Sequence, residues 1–120
     1  KRFCVGFGFE LQAAADEGIP SIGVDSNQNY VHPGQVLTSM LKRVDVAVYN
    51  AFKTGTDLQP GVTLLDLKSD GVGYALDENN ASLITPEMKA AVDAAAEKIK
   101  SGELVVHNYT TDDTCPAATF

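Results

Sequence analysis

An apolar run, Ile19 to Val24, breaks off at Asp25 into a polar loop, and a short helical stretch stands immediately before it. Leu11, Ala14 and Ala15 share one face at helical spacing between Leu11 and Glu17, and Gly18 supplies the stop. Upstream, Arg2 to Val5 reads as the end of another strand. Strand, helix and strand over so few residues form a β-α-β unit of about minimal length, whose two strands are parallel. Parallel strands commit the chain to an α/β architecture, where loops at the carboxyl ends of packed strands carry ligand chemistry. That puts Gly23-Val24-Asp25-Ser26-Asn27-Gln28 at the functional edge.

The rest of the chain is compatible with one packed domain. Of 120 residues, 44% are hydrophobic and 21% charged, which favours a core over disorder. No apolar run approaches the ~20 residues that span a bilayer. The net charge of -7 argues against nucleic acid and anionic membrane surfaces as partners, since both require basic patches. The chain opens on Lys1 rather than a start methionine, so it is expected to be processed or a fragment.

Pro33-Gly34 leads into the most periodic segment, Val36 to Lys53. Leu37, Met40, Leu41, Val44, Val48, Ala51 and Phe52 form one apolar stripe, which predicts a helix over 36–53 with Lys42 in its second turn. Val62–Leu67 and Val72–Leu76 read as strands joined through the turn signal Asp70-Gly71, a hairpin or bent pair. Thr85-Pro86-Glu87 starts a second long helix, predicted over 86–101: a capping threonine, proline at the first position, then an acid at the positive helix end. Gly102 ends it, and Glu103 to His107 reads as a last strand. The expected remainder is a first helix near 10–17 and strands near 2–6 and 20–25.

Catalytic constellations are absent from this reading, and no enzyme activity is expected. Gly6-x-Gly8 hints at a phosphate loop, but the third Rossmann position is Leu11. The plainer reading is a tight turn out of the first strand. His32 and His107 lack a nucleophile partner, and Cys4 and Cys115 lack metal spacing, so neither a metal nor another cofactor is expected. The two cysteines leave two readings open: a buried thiol with an incidental one in the tail, or a Cys4–Cys115 disulfide outside the cytoplasm. Asn80-Ala81-Ser82 and Asn108-Tyr109-Thr110 fit the glycosylation sequon, which carries no meaning without a eukaryotic secretory route.

Four motifs occur in one order: Ile22-Gly23-Val24-Asp25-Ser26-Asn27-Gln28, then Val36-Leu37-Thr38-Ser39-Met40-Leu41-Lys42-Arg43-Val44-Asp45-Val46-Ala47-Val48-Tyr49, Gly71-Val72-Gly73-Tyr74-Ala75-Leu76 and Ile84-Thr85-Pro86-Glu87-Met88. Together they resemble the basic membrane protein family, the substrate-binding lipoproteins of ABC transporters that include purine nucleoside receptors. The likeness covers residues 6–108. It implies an α/β three-layer sandwich with a mostly parallel sheet, part of a type I periplasmic binding-protein fold with two lobes around a cleft. Residues 1–108 would be a C-terminal portion of such a protein, and 109–120 a polar tail.

The resemblance further implies a nucleoside ligand, an ABC permease as partner, and an extracytoplasmic, lipid-anchored parent. Asp25 matches the family's ligand-contacting aspartate and Lys42 the lysine of its Ser-Met-Leu-Lys-Arg motif. Gly6 and Phe7 match the turn lining the cleft. Asn27 stands where the family often has Asp, and Cys4-Val5 where it usually has small residues. Physically, a carboxylate accepts sugar hydroxyls, an ammonium donates to base carbonyls and an aromatic ring stacks on the base. Competing expectations are a nucleotide-using α/β enzyme domain and a sensory domain of the same fold. With one cleft wall present, Phe7 and Phe9 exposed and sheet edges unpaired, a fragment of this kind is expected to self-associate.

Overall fold

The computed structural model describes residues 3–108. Cys4–Gly6 (β1), Ser21–Gly23 (β2), Val36–Lys42 (β3) and Val72–Tyr74 (β4) form one sheet in the order β1-β2-β3-β4. The first three strands are parallel and β4 is antiparallel to β3. Helices α1 (Gly8–Asp16), α2 (Val44–Thr54) and α3 (Pro86–Ser101) complete the α/β fold, with single 3-10 turns at Asn29–Val31 and Gly55–Asp57.

The β-α-β unit forms as its residues require. Leu11 and Ala14 bury one face of α1 against β1 and β2. Gly18, at φ 63, ends the helix, and the N–H of Ile19 donates to the carbonyl of Ala14 at 2.8 Å. Gly23 has a steric reason: a Cβ there would lie 2.6 Å from Ser39 Oγ. The α3 signals also operate as read. Thr85 accepts the N–H of Met88 at 3.2 Å, Pro86 opens the helix, and Gly102 closes it at φ 82.

Three expectations are corrected. The helix expected over 36–53 is a strand followed by a helix, β3 then α2. Paired on both edges, β3 shows no period of two: Val36 and Ser39 are buried while Met40 is exposed. Its apolar residues therefore fell on a helical stripe, and the backbone pairing overrode local preference. The strand expected at 62–67 does not form. The turn at Asp70-Gly71 does, pinned by Asp66, whose Oδ1 accepts the N–H groups of Lys68 and Ser69 at 2.9 and 3.0 Å. Its first arm pairs with no strand: Leu65 and Leu67 are partly buried, while Val62 and Leu64 stand exposed. The strand expected at 103–107 is also absent. Leu104 is used to close α3, donating its N–H to the carbonyl of Lys98, and Val105 and Val106 are exposed. The Cys4–Cys115 pairing and the tail 109–120 lie outside the described residues.

The core is small. Among the described residues its buried apolar members are Leu11, Ala14, Val36 and Ala75. In α2, Val44, Val48 and Phe52 remain exposed. Among the described residues no helix is long and apolar enough to cross a membrane. Gly23→Ala should force Ser39 aside and cost about 1–3 kcal/mol, as overpacking does. A lower urea midpoint with an unchanged slope is the expected measurement.

Candidate functional site

Register aligns the carboxyl ends of the parallel strands. Gly6 pairs with Gly23, and Gly23 with Ser39, from which β3 runs on to Lys42. Asp25 follows two residues after β2 and holds φ 76, a left-handed conformation that a non-glycine residue adopts at some cost. Two contacts fix it to β3. The N–H of Lys42 donates to the carbonyl of Asp25 at 2.8 Å, and Lys42 Nζ lies 2.8 Å from Asp25 Oδ1.

Periodicity predicts Lys42 in a helix, but it is the last residue of a strand, the same kind of position that Asp25 occupies beside β2. Both side chains are solvent-accessible, 66% for Lys42 and 50% for Asp25. An exposed ion pair contributes about 0–1 kcal/mol to stability. The pair is therefore a poor explanation of the fold and remains open to a solute. It presents a carboxylate acceptor beside a cationic donor.

Gly6 and Phe7 lie on the same edge by the register of β1 with β2. Gly6 is needed because a Cβ would meet Glu10 Cβ at 2.7 Å, whereas a Cβ on Gly8 would meet nothing within 4 Å. The Gly-x-Gly pair is thus a tight strand-to-helix turn, not a phosphate loop. The carbonyl of Phe7 accepts the N–H groups of Glu10 and Leu11, which opens α1, and its ring is more than half exposed. Next to Lys42, Arg43 makes a forked bond to Asp45 that holds the Asp45 carboxyl below its ordinary value.

Beneath the edge lies a polar cluster that the sequence reading passed over. Asp77, in the loop between β4 and α3, accepts four hydrogen bonds. Oδ2 takes Asn27 Nδ2 at 2.7 Å and Asn29 Nδ2 at 3.1 Å; Oδ1 takes the backbone and side-chain N–H groups of Asn79 at 2.8 and 3.1 Å. Asn29 and Ser39 are fully buried, and Ser39 Oγ donates to Asn29 Oδ1 while accepting the N–H of Gln28. Buried Asn80 donates to the carbonyls of Leu37 and Ala75, so the first sequon is consumed internally. Among the described residues no buried side-chain polar atom lacks a partner. The available signal was the spacing of short amide and carboxylate side chains, Asn27-x-Asn29 and Asp77-x-Asn79-Asn80, which bond to nearby backbone rather than extend helices.

No protein-family model matches the chain. Basic membrane protein D of Borreliella burgdorferi is 44% identical over 63 residues, covering 48% of this chain and 18% of that protein. An uncharacterized lipoprotein of Pyrococcus horikoshii is 30% identical over 124 aligned positions, covering 78% of this chain and 31% of its own length. The chain thus spans less than a third of these curated relatives. In three dimensions it is similar to the crystal structure of ABC transporter system solute-binding proteins from Aeropyrum pernix K1. The TM-score is 0.60 and the identity 26%, over 88% of this chain and 38% of that one.

The hydrogen bond from Asn27 does most to hold the Asp77 carboxyl below its usual range; burial opposes it, and Asn79 and Asn29 add to the lowering. The stability Asp77 contributes is complete above the ordinary aspartate value of about 3.9 and is lost as pH falls through the lowered folded value. Carbon-detected NMR should find Asp77 titrating below that value, with the side-chain amide signals of Asn27 and Asn29 shifting in the same acid range.

Proposed function

We infer that this chain, which belongs to the basic membrane protein family, supplies one wall of a solute-binding cleft in an ABC importer and that its ligand is a purine nucleoside. The observation that carries this is the Asp25–Lys42 pair: accessible, at the carboxyl edge of parallel strands, on a backbone strained at Asp25. Ligands of open α/β sheets bind at that edge. The likeness to solute-binding proteins of ABC transporters supports solute binding as the general role.

Nucleoside is the finer part of the inference. Asp25 would accept two ribose hydroxyls, Lys42 would donate to a base carbonyl, and the exposed ring of Phe7 beside the Gly6 turn would stack on the base. Binding needs no bond-breaking chemistry, so the pair acts by orientation and charge alone. The second wall comes from the part of the relatives' length that this chain does not span, and burial between two walls is what makes such a site tight. The setting is extracytoplasmic, with a lipid anchor and a permease partner in the complete protein.

Asp25→Asn tests this in a full-length binding protein carrying this sequence. Asparagine tolerates the left-handed backbone but removes the charge. Loss of a charge-assisted hydrogen bond, about 1.5–3 kcal/mol, should weaken inosine and guanosine binding by about tenfold to a hundredfold in calorimetry, with the melting temperature unchanged. Unchanged affinity would refute Asp25 as a ligand residue.

A further inference from the structure

The loop that carries Asp25 contains only a single 3-10 turn as regular structure. A left-handed aspartate in such a loop relaxes unless its surroundings over-determine it. One side of that constraint is the Lys42 backbone. The other comes from a loop some fifty residues away in sequence: Asn27, two residues beyond Asp25, donates to Asp77 Oδ2 at 2.7 Å. The same oxygen takes Asn29, whose Oδ1 is tied to Ser39 in the middle of β3. Asn27 Oδ1 in turn accepts the N–H of Asn29, which makes the turn rigid locally. Gln28 Nε2 closes back on the carbonyl of Val24 at 2.7 Å. Val24, Asn27, Gln28 and Asn29 are thus each held by a side-chain hydrogen bond, and Asp77 is the acceptor on which two of these bonds converge.

We propose that Asp77 is the positioning residue of the ligand edge: acting through Asn27 and Asn29, it holds the Asp25 backbone in the conformation that sets the Asp25–Lys42 pair. Asp77 does not touch the solute. Its carboxylate is the acceptor that both amides require, so residues 27 and 77 form a matched pair, one donor and one acceptor. A carboxylate at both positions would place two negative oxygens at hydrogen-bond distance. The inference rests on the reading of Asp25 and Lys42 as facing a ligand.

Hydrogen exchange of this chain tests it directly, because the Lys42 N–H reports the Asp25 carbonyl and the Gln28 N–H reports the Ser39 hydroxyl. In Asp77→Ala, which removes both acceptor oxygens, both amides should exchange about tenfold faster while the amides of β2 keep their rates, since the bonds lost are local. The exchanged pair Asn27→Asp with Asp77→Asn reverses donor and acceptor and should keep most of the protection. Should Asp77→Ala fail to fold, Asn27→Ala removes the same strut from the loop side and should give the same selective response. Equal acceleration of all amides, or none at Lys42, would overturn the proposal. Inosine calorimetry in the full-length context separates it from the reading beneath. Weakened binding in both Asp25→Asn and Asp77→Ala supports both; weakened binding in Asp25→Asn alone overturns only the positioning role; no effect of Asp25→Asn overturns the site itself.

Discussion

Two-sided pairing of β3 is the constraint on which the rest depends. The strand bonds in parallel to β2 and antiparallel to β4, so it fixes the separation of the loops that leave those strands. Held to β2 through residues 36–39 and to β4 through 40–42, the strand resists sliding by one residue, because a slip would turn every side chain to the opposite face. That matters at two positions. Ser39 must point into the asparagine cluster, and Lys42 must emerge beside Asp25. A single register therefore serves a buried polar knot and an accessible ion pair at once.

Strong local signals were legible wherever a residue's own chemistry decided its conformation. Thr85-Pro86 and Gly102 delimited α3 to the residue, Gly18 ended α1, and the β-α-β reading gave parallel β1 and β2. Failures came where partners decided. In β3 the mixture of apolar and polar residues belongs to a strand covered unevenly on both faces, and its accidental period resembled a helix. Residues 62–67 and 103–107 have strand-like composition but pair with no strand, and composition alone does not create a pairing. Asp25 is placed at the functional edge by the strand that ends before it and Lys42 only by resemblance, and the geometry that joins them depends on the pairing of β3, which periodicity does not show. The cluster at Asp77 was missed because polar loops are ordinarily solvated, whereas here two asparagines and a serine have no exposure at all.

Stability and the proposed binding draw on separate residues. The half-exposed Asp25–Lys42 pair contributes little to the fold, while the buried amides beneath it are costly to leave unpaired and are all satisfied. On the proposed function, this separation would let the edge exchange its internal partner for a solute without loosening the sheet. Aromatic and aliphatic exposure at Phe7, Phe52 and Val48 fits a chain that spans a minor share of its relatives' length, where further polypeptide is available to cover them.

The antiparallel direction of β4 has one more consequence. Because β4 starts where β3 ends, the N–H of Arg43 reaches the carbonyl of Gly71 at 2.9 Å, and residues 43–71 leave and rejoin the sheet at a single pinch. Doubling a flexible loop adds only about 0.6 kcal/mol to the entropy of closing it. Segments inserted into this detour, at a point such as the exposed stretch around Val62, would hang from the pinch without shifting the strands on either side. The detour is where evolution, or a protein engineer, can change the length of the chain and leave the edge beside Lys42 in place.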